Sequence, residues 1–153
     1  MNILSICLRR LRIIMLRVII AGSRSFGSFT VLEKECHKIF KSLSEEGYLN
    51  GNVKTDCDNI EIISGTANGA DRLGEAFAKK YGISVMRFPA RWAKYGKSAG
   101  YIRNNIMAQY AAKSDELGVL IAFWDGKSRG TKMMIDLAKK NNLKVFVIDV
   151  ENK

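Results

Sequence analysis

Three short segments of the sequence combine glycine with small polar and basic residues. They are Gly22-Ser23-Arg24, the stretch GTANGADR at positions 65–72 and the stretch GKSRGT at positions 126–131. Glycine lets backbone N–H groups approach an anion closely, and a helix N-terminus behind such a loop adds unpaired N–H groups and a favourable dipole. Hydroxyl and guanidinium groups add hydrogen bonds and charge. Together these residue types favour binding of a phosphate or a similar anion.

Within these segments we predict ligand contacts from glycine backbone and from polar or charged side chains. The candidates are Gly22, Ser23, Arg24, Gly65, Thr66, Asn68, Gly69, Ala70, Asp71, Arg72, Ser128, Arg129, Gly130 and Thr131. An ordinary strand-to-helix turn is the competing interpretation, and it is the favoured one for the first segment taken alone. No P-loop and no strict G-x-G-x-x-G occurs, which disfavours a dinucleotide site.

A fourth segment, ARWAKYGKSAGYIRNNIM at positions 90–107, places two aromatic residues close to an arginine. Trp92 or Tyr95 could stack on a nucleotide base. The alternative for Trp92 is that it fills the space between a helix and the sheet. Arg103 and Asn104 are expected to face the same site from a helix, although a surface ion pair would also account for Arg103.

Strand and helix patterns alternate along the chain. Short apolar runs predict strands at 16–21, 60–64, 83–88, 118–124 and 144–148, and helical spacing predicts helices at 29–46, 70–81, 101–113 and 131–141. Polar positions 48–59 are interpreted as a surface loop, and 90–100 as an irregular one. Such alternation predicts a three-layer α/β sandwich with a mostly parallel sheet of about five strands. Ligands bind such sheets at the carboxyl ends of the strands, where the glycine-rich segments fall.

Composition adds few constraints. A chain of 153 residues is expected to form one domain with its own core. The net charge of +10 weakly supports an anionic ligand, and the basic residues are spread along the chain instead of forming the stripe typical of nucleic-acid binders. Three cysteines without C-x-x-C spacing suggest neither disulfides nor zinc, and they favour the reducing cytoplasm.

Residues 1–15 are expected to be an extension outside the domain, which we place at 16–150. Three arginines between positions 9 and 12 interrupt this apolar segment, so it is too short to cross a bilayer and has the wrong order for a secretory signal. A poorly ordered tail, or an upstream start codon with Met15 as the natural start, is the favoured interpretation. A helix lying on a membrane surface is the alternative, but no membrane partner is expected.

The motifs, taken in order, resemble the YspA-type, cpYpsA-related branch of the SLOG superfamily. The resemblance rests on GSR, SGTANGADRLGEAFAKKYG, PARWAKYGKSAGYIRNNIM and SDELGVLIAFWDGKSRGT, and it extends from Arg17 to about Asp149. The superfamily also includes the LOG phosphoribohydrolases, which activate cytokinins, and the DprA/Smf proteins. The resemblance implies a Rossmann-like sheet that binds a nucleotide or a nucleotide-derived molecule.

One comparison within this resemblance bears on catalysis. The stretch RNNIM at positions 103–107 is similar to the R-K-x-x-M helix motif of LOG enzymes, with Asn104 in place of Lys. Their P-G-G-x-G-T-x-x-E loop is similar around Gly130-Thr131, but Met134 occupies the position of the catalytic Glu. Hydrolysis of an N-glycosidic bond needs a carboxylate, and a thioether cannot replace it. LOG-type hydrolysis by the same residues is therefore not expected.

Other candidates for chemistry are weak. Asp71, Asp125 and Arg103 remain catalytic candidates, but a helix N-terminal charge and a turn residue are the alternatives for the two acids. His37, the only histidine, is interpreted as a packing or surface residue. No metal site and no cofactor are expected.

The favoured function is a sensor or carrier that binds a nucleotide-like anion at the carboxyl edge of the sheet. The alternative is an enzyme that processes a nucleotide at its glycosidic bond, and the second alternative is a DNA-binding protein similar to DprA. We also expect a homo-oligomer.

Overall fold

The computed structural model describes residues 15–114 and 117–151. The strands are β1 (Leu16–Gly22), β2 (Ile60–Ser64), β3 (Ser84–Arg87), β4 (Gly118–Trp124) and β5 (Lys144–Asp149). The longer helices are α1 (Phe29–Glu45), α2 (Ala70–Tyr81), α3 (Ala99–Ala112) and α4 (Arg129–Lys140). Short helical turns lie at Val53–Asp56 and Trp92–Tyr95, and 3₁₀ turns at Cys57–Asn59 and Gly96–Ser98.

The five strands form one sheet in the order β3-β2-β1-β4-β5, and every pairing is parallel. The chain moves outward from β1 to β3, and then returns to the other side of β1 to place β4 and β5. The connections that leave β1 and β4 therefore diverge. In sheets of this kind, that divergence opens a crevice at the carboxyl ends of the two strands.

Two helices cover each face of the sheet. Val18 and Ile20 of β1 pack with α1 and α2, whereas Ile19 and Ala21 pack with α3 and α4. The alternation follows from the strand period of two residues, which turns successive side chains to opposite faces. The sequence-based prediction of a three-layer, Rossmann-like α/β sandwich is confirmed.

The outer strands are more exposed than their apolar sequences suggest. β3 is only four residues long, and Ser84, Met86 and Arg87 are exposed. Val147 of β5 is exposed as well. The physical reason is their place in the sheet: an edge strand has a neighbour on one side only, and the helices cover the central strands first.

The predicted surface loop at 48–59 is partly buried. Leu49 and Val53 belong to the core, and Asp56 is fully buried. The Asp56 carboxylate accepts hydrogen bonds from the backbone N–H groups of Asn50 (2.9 Å) and Gly51 (3.0 Å). These bonds compensate the burial of the charge, so a polar sequence could fold inward.

Helix boundaries shift by one or two residues from the predictions. α3 begins at Ala99 and α4 at Arg129, each two residues earlier than expected. Gly82 ends α2 in the left-handed conformation, with φ of 68°. Short helical turns replace much of the irregular loop expected at 90–100.

The extension predicted at 1–15 lies, except for Met15, outside the described residues. Cys36 is buried in α1, and burial raises the pKa of its thiol above the usual range. Across residues 15–114 and 117–151, no helix is long and apolar enough to span a bilayer.

Candidate functional site

A small cavity of about 90 Å³ lies at the carboxyl ends of β1 and β4, where the strand order switches. Loops after β1, β2 and β4 and the first half of α3 surround it. Eight of the predicted ligand-binding residues line it: Gly22, Arg24, Asp71, Arg103, Asn104, Ser128, Gly130 and Thr131.

Four further residues that were not predicted as contacts complete the lining: Ala21, Ala67, Met107 and Met134. Met107 follows Arg103 and Asn104 by about one helical turn, so helical spacing could have identified it. Met134, in α4, is buried.

The loop after β1 joins the ends of β1 and β4. A Cβ at Gly22 would lie 2.2 Å from the carbonyl oxygen of Phe123, so this close approach requires glycine. The N–H of Ser23 donates to the same Phe123 oxygen (2.9 Å), and the N–H of Asp125 donates to Ser23 Oγ (3.1 Å). Ser23 is buried. Its role is therefore to hold the two loops together beside the cavity.

The loop after β2 brings a carboxylate to the crevice. Oδ2 of Asp71, at the start of α2, accepts a hydrogen bond from the backbone N–H of Ala67 (3.1 Å). Burial raises the pKa of Asp71 to about 6, and the Ala67 hydrogen bond and the Arg103 charge oppose this rise. Asp71 therefore titrates close to neutral pH at the wall of the cavity.

Arg103 extends from α3 into this crevice. Its Nη1 donates to the carbonyl oxygen of Gly65, and its Nε donates to Asn104 Oδ1 (2.8 Å). Burial lowers the pKa of the guanidinium, and the nearby Asp71 charge opposes that effect. Asn104 in turn donates from Nδ2 to the carbonyl oxygen of Gly130 (3.4 Å). The Arg103-Asn104 pair thus connects the β2 loop with the start of α4.

Hydrogen bonds within the loop after β4 fix the backbone that leads into the N-terminus of α4. Oδ1 of Asp125 accepts from the N–H groups of Ser128 and Lys127, both at 2.8 Å, and these bonds lower the pKa of Asp125. Ser128 caps α4 by accepting from the N–H of Thr131 (3.4 Å). Asp125 does not line the cavity. Its geometry is that of a turn residue.

The other predicted residues do not line the cavity: Ser23, Gly65, Thr66, Asn68, Gly69, Ala70, Arg72, Trp92 and Arg129. Gly65 lies directly behind Arg103 and Asp71. Arg72 forms an ion pair with Glu75 (3.2 Å). Asn68 and Arg129 are exposed.

A second, larger cavity of about 400 Å³ lies beside the first and shares Arg103 with it. Tyr95 lines this cavity, and Trp92 does not. Trp92 is 52% exposed, so the interpretation that it fills the space between helix and sheet is wrong. The short turn at Trp92–Tyr95 holds it on the surface instead.

The histidine lies away from both cavities. His37 shares a hydrogen bond with Tyr81 Oη (2.8 Å) and packs edge-on against Phe77. It is a packing residue between α1 and α2, as expected. In the part of the chain that the structure describes, no three or more His, Cys, Asp or Glu residues are grouped as metal ligands would be.

Comparison with known protein families assigns the chain to a family. The profile of the YspA, cpYpsA-related SLOG family matches residues 16–95, more than half of the chain. The matched region runs from β1 to the turn that ends at Tyr95, and it includes the first two glycine-rich segments. Searches of curated proteins and of solved structures gave no significant match. The chain therefore belongs to the YspA, cpYpsA-related SLOG family.

Proposed function

We propose that this protein binds a nucleotide or a nucleotide-derived anion in the crevice between β1 and β4, as a sensor or carrier. One observation carries the proposal: Arg24 and Arg103 line the same small cavity as Gly130 and Thr131, at the switch in strand order. Arginine side chains and the N-terminus of α4 both favour an anion there. Family membership supports a nucleotide-derived ligand.

The size of the crevice suggests which part of the ligand it holds. A cavity of about 90 Å³ accommodates a phosphoryl group but not a whole nucleotide. The first N–H groups of α4 have no partner within the helix. The N–H of Thr131 donates to the capping Ser128 Oγ. The others can donate hydrogen bonds to phosphate oxygens.

Binding is favoured over catalysis because of Met134. This residue lines the cavity and is buried, and its thioether can neither stabilise a sugar cation nor activate water. The machinery implied by the LOG resemblance is thus incomplete at the position where that mechanism needs an acid.

Calorimetric titration of the full chain with ribose 5-phosphate tests the proposal. Arg24→Ala and Arg103→Ala should each weaken binding by roughly 10- to 100-fold, the usual effect of losing a charge-assisted hydrogen bond to an anion. Arg72→Ala is the matched control, because Arg72 pairs with Glu75 and does not line the cavity. An equal loss of affinity in all three variants, or no binding by the parent, would contradict the proposal.

Hydrolysis of an N-glycosidic bond is the second candidate function, and one observation favours it. Asp71 lines the same cavity and has a pKa raised to about 6, which suits a group that exchanges protons near neutral pH. If the protein is such an enzyme, it should release free base from a nucleoside monophosphate. Asp71→Asn should abolish release while ribose 5-phosphate still binds.

The proposal extends to location and assembly. Cys36 and Cys57 are free thiols, which fits a cytoplasmic protein. Tyr101 on α3 has a large exposed side chain that lines neither cavity and is available for a contact between subunits. We therefore propose a homo-oligomer, for which sedimentation velocity would give the mass.

A further inference from the structure

The larger cavity and the phosphate crevice are neighbours that share one lining residue, Arg103. Arg103 lines both spaces, and the larger one continues past it to the segment that follows β3. Its volume of about 400 Å³ falls within the range of small-molecule sites. A ligand whose anionic group occupies the crevice would therefore extend into this cavity with its next groups.

The walls of the larger cavity suit a flat ring. Phe88, Pro89, Ile102 and Ile106 supply apolar surface, and Tyr95 supplies an aromatic ring that is 38% exposed. Aromatic side chains with accessible faces stack on nucleotide bases without regard to sequence. An exposed aromatic ring beside apolar side chains is a lining that suits a heterocyclic base.

The polar side chains that line the cavity are almost entirely hydrogen-bond donors. The lining contains Arg87, Arg91 and Arg103 but no carboxylate and no carboxamide, and the Tyr95 hydroxyl is its one side-chain acceptor. Arg87 is engaged by Glu75 at 2.7 Å, and Arg103 by the Gly65 carbonyl. Over residues 15–114 and 117–151, Arg91 forms no ion pair. Its guanidinium is available to a ligand.

We propose that this cavity recognises a 6-keto purine, hypoxanthine or guanine, in preference to adenine, and that Arg91 determines the preference. A keto purine presents two acceptors, O6 and N7, on one edge, and a guanidinium can donate to both. Adenine presents an amino donor at the same place, where the lining side chains provide no acid to receive it. The ligand class is then a 6-keto purine nucleotide. This inference rests on the proposed binding function.

Inosine and adenosine 5′-monophosphate test the inference, because they share phosphate and sugar and differ at the purine C6 edge. Calorimetry on the full chain should show inosine monophosphate binding about tenfold more tightly. Arg91→Ala should lower its affinity to that of adenosine monophosphate. Lys97→Ala removes the same charge from the neighbouring turn but lies outside both cavities, so it should retain the preference. Tyr95→Ala should weaken both nucleotides alike.

The outcomes separate this inference from the proposed function. Ribose 5-phosphate has no base and reports on the crevice alone. Binding of ribose 5-phosphate that is weakened in Arg24→Ala supports the anion site. If, in the same protein, the two nucleotides bind equally or adenosine monophosphate binds better, the keto-purine inference fails and the anion site stands. Persistence of the preference in Arg91→Ala also overturns the role of Arg91. If none of the three compounds binds, both proposals fail.

Discussion

The guanidinium of Arg103 lies directly against the backbone of Gly65, whose carbonyl oxygen accepts a hydrogen bond from Nη1. A Cβ at position 65 would stand 2.7 Å from Nη1 and 2.8 Å from Oδ2 of Asp71. The missing side chain at Gly65 therefore allows an arginine and a carboxylate to approach the same backbone position at the wall of the crevice.

Gly65→Ala should displace Arg103 and weaken the binding of ribose 5-phosphate by about tenfold. Overpacking should also lower the free energy of unfolding by about 1–3 kcal/mol. Gly27→Ala is the control, since a Cβ there meets nothing within 4 Å, and it should change stability by less than about 0.5 kcal/mol. Calorimetry and urea unfolding measure the two effects. Parent-like affinity in Gly65→Ala would show that the position of Arg103 does not matter for binding.

Gly69→Ala should lower the free energy of unfolding by more than the cost of a positive φ alone, because the new Cβ would also clash with the backbone. Gly69 has φ of 83°, and its Cβ would lie 2.4 Å from the carbonyl oxygen of Ser23. Gly82 also has positive φ, of 68°, but has open space around it. Gly82→Ala should cost about 1 kcal/mol and Gly69→Ala at least about 2 kcal/mol more. Similar midpoints of urea unfolding for the two variants would contradict the close approach of these loops.

Asp71 should make stability fall as pH rises from about 4 to about 6. The pKa of Asp71 is about 6 in the folded protein and near its ordinary value of about 4 when unfolded, so in this interval the folded state binds more protons. Ionisation then costs the folded protein roughly 3 kcal/mol, from a pKa difference of about two. Below pH 4 the carboxyl is protonated in both states, and above pH 6 the cost is complete.

Comparison with Asp71→Asn isolates this effect, because all other titrating groups are shared. The unfolding free energy of the parent, measured in urea at a series of pH values, should decrease relative to that of the variant between pH 4 and 6 and then level off. A constant difference across this interval would show that burial does not raise the pKa of Asp71.

Asp56→Ala should destabilise the protein by about 2–4 kcal/mol, because the N–H groups of Asn50 and Gly51 would lose a charged, buried acceptor. Asp56→Asn keeps one acceptor oxygen and should cost less. Asp58→Ala, at an exposed position in the next turn, should be nearly neutral. Thermal unfolding of the three variants checks the order. Equal melting temperatures for Asp56→Ala and Asp58→Ala would exclude a structural role for Asp56.

The sequence by itself determined the layers of the fold and the edge at which the site would form. Local periodicity decides whether a segment is a helix that buries one stripe or a strand that buries both faces. The helix pattern is seen in the spacing of Leu32, Cys36 and Phe40, and the strand pattern in the β-branched runs around Ile20 and Ile62. Alternation of the two then required a parallel sheet, which brings all strand ends with one polarity to the same edge. The glycine-rich segments followed those ends.

Only the tertiary structure decided which residues meet at that edge. Whether β1 neighbours β4 depends on long-range pairing, and this pairing creates the crevice. The turns and loops bury Asp56 and Asp71. They also place Tyr95, and not Trp92, at the larger cavity. Both results depend on where each short segment directs its side chains. Such directions are set by packing between segments distant in sequence. Composition and periodicity cannot specify them, because they describe each segment without its neighbours.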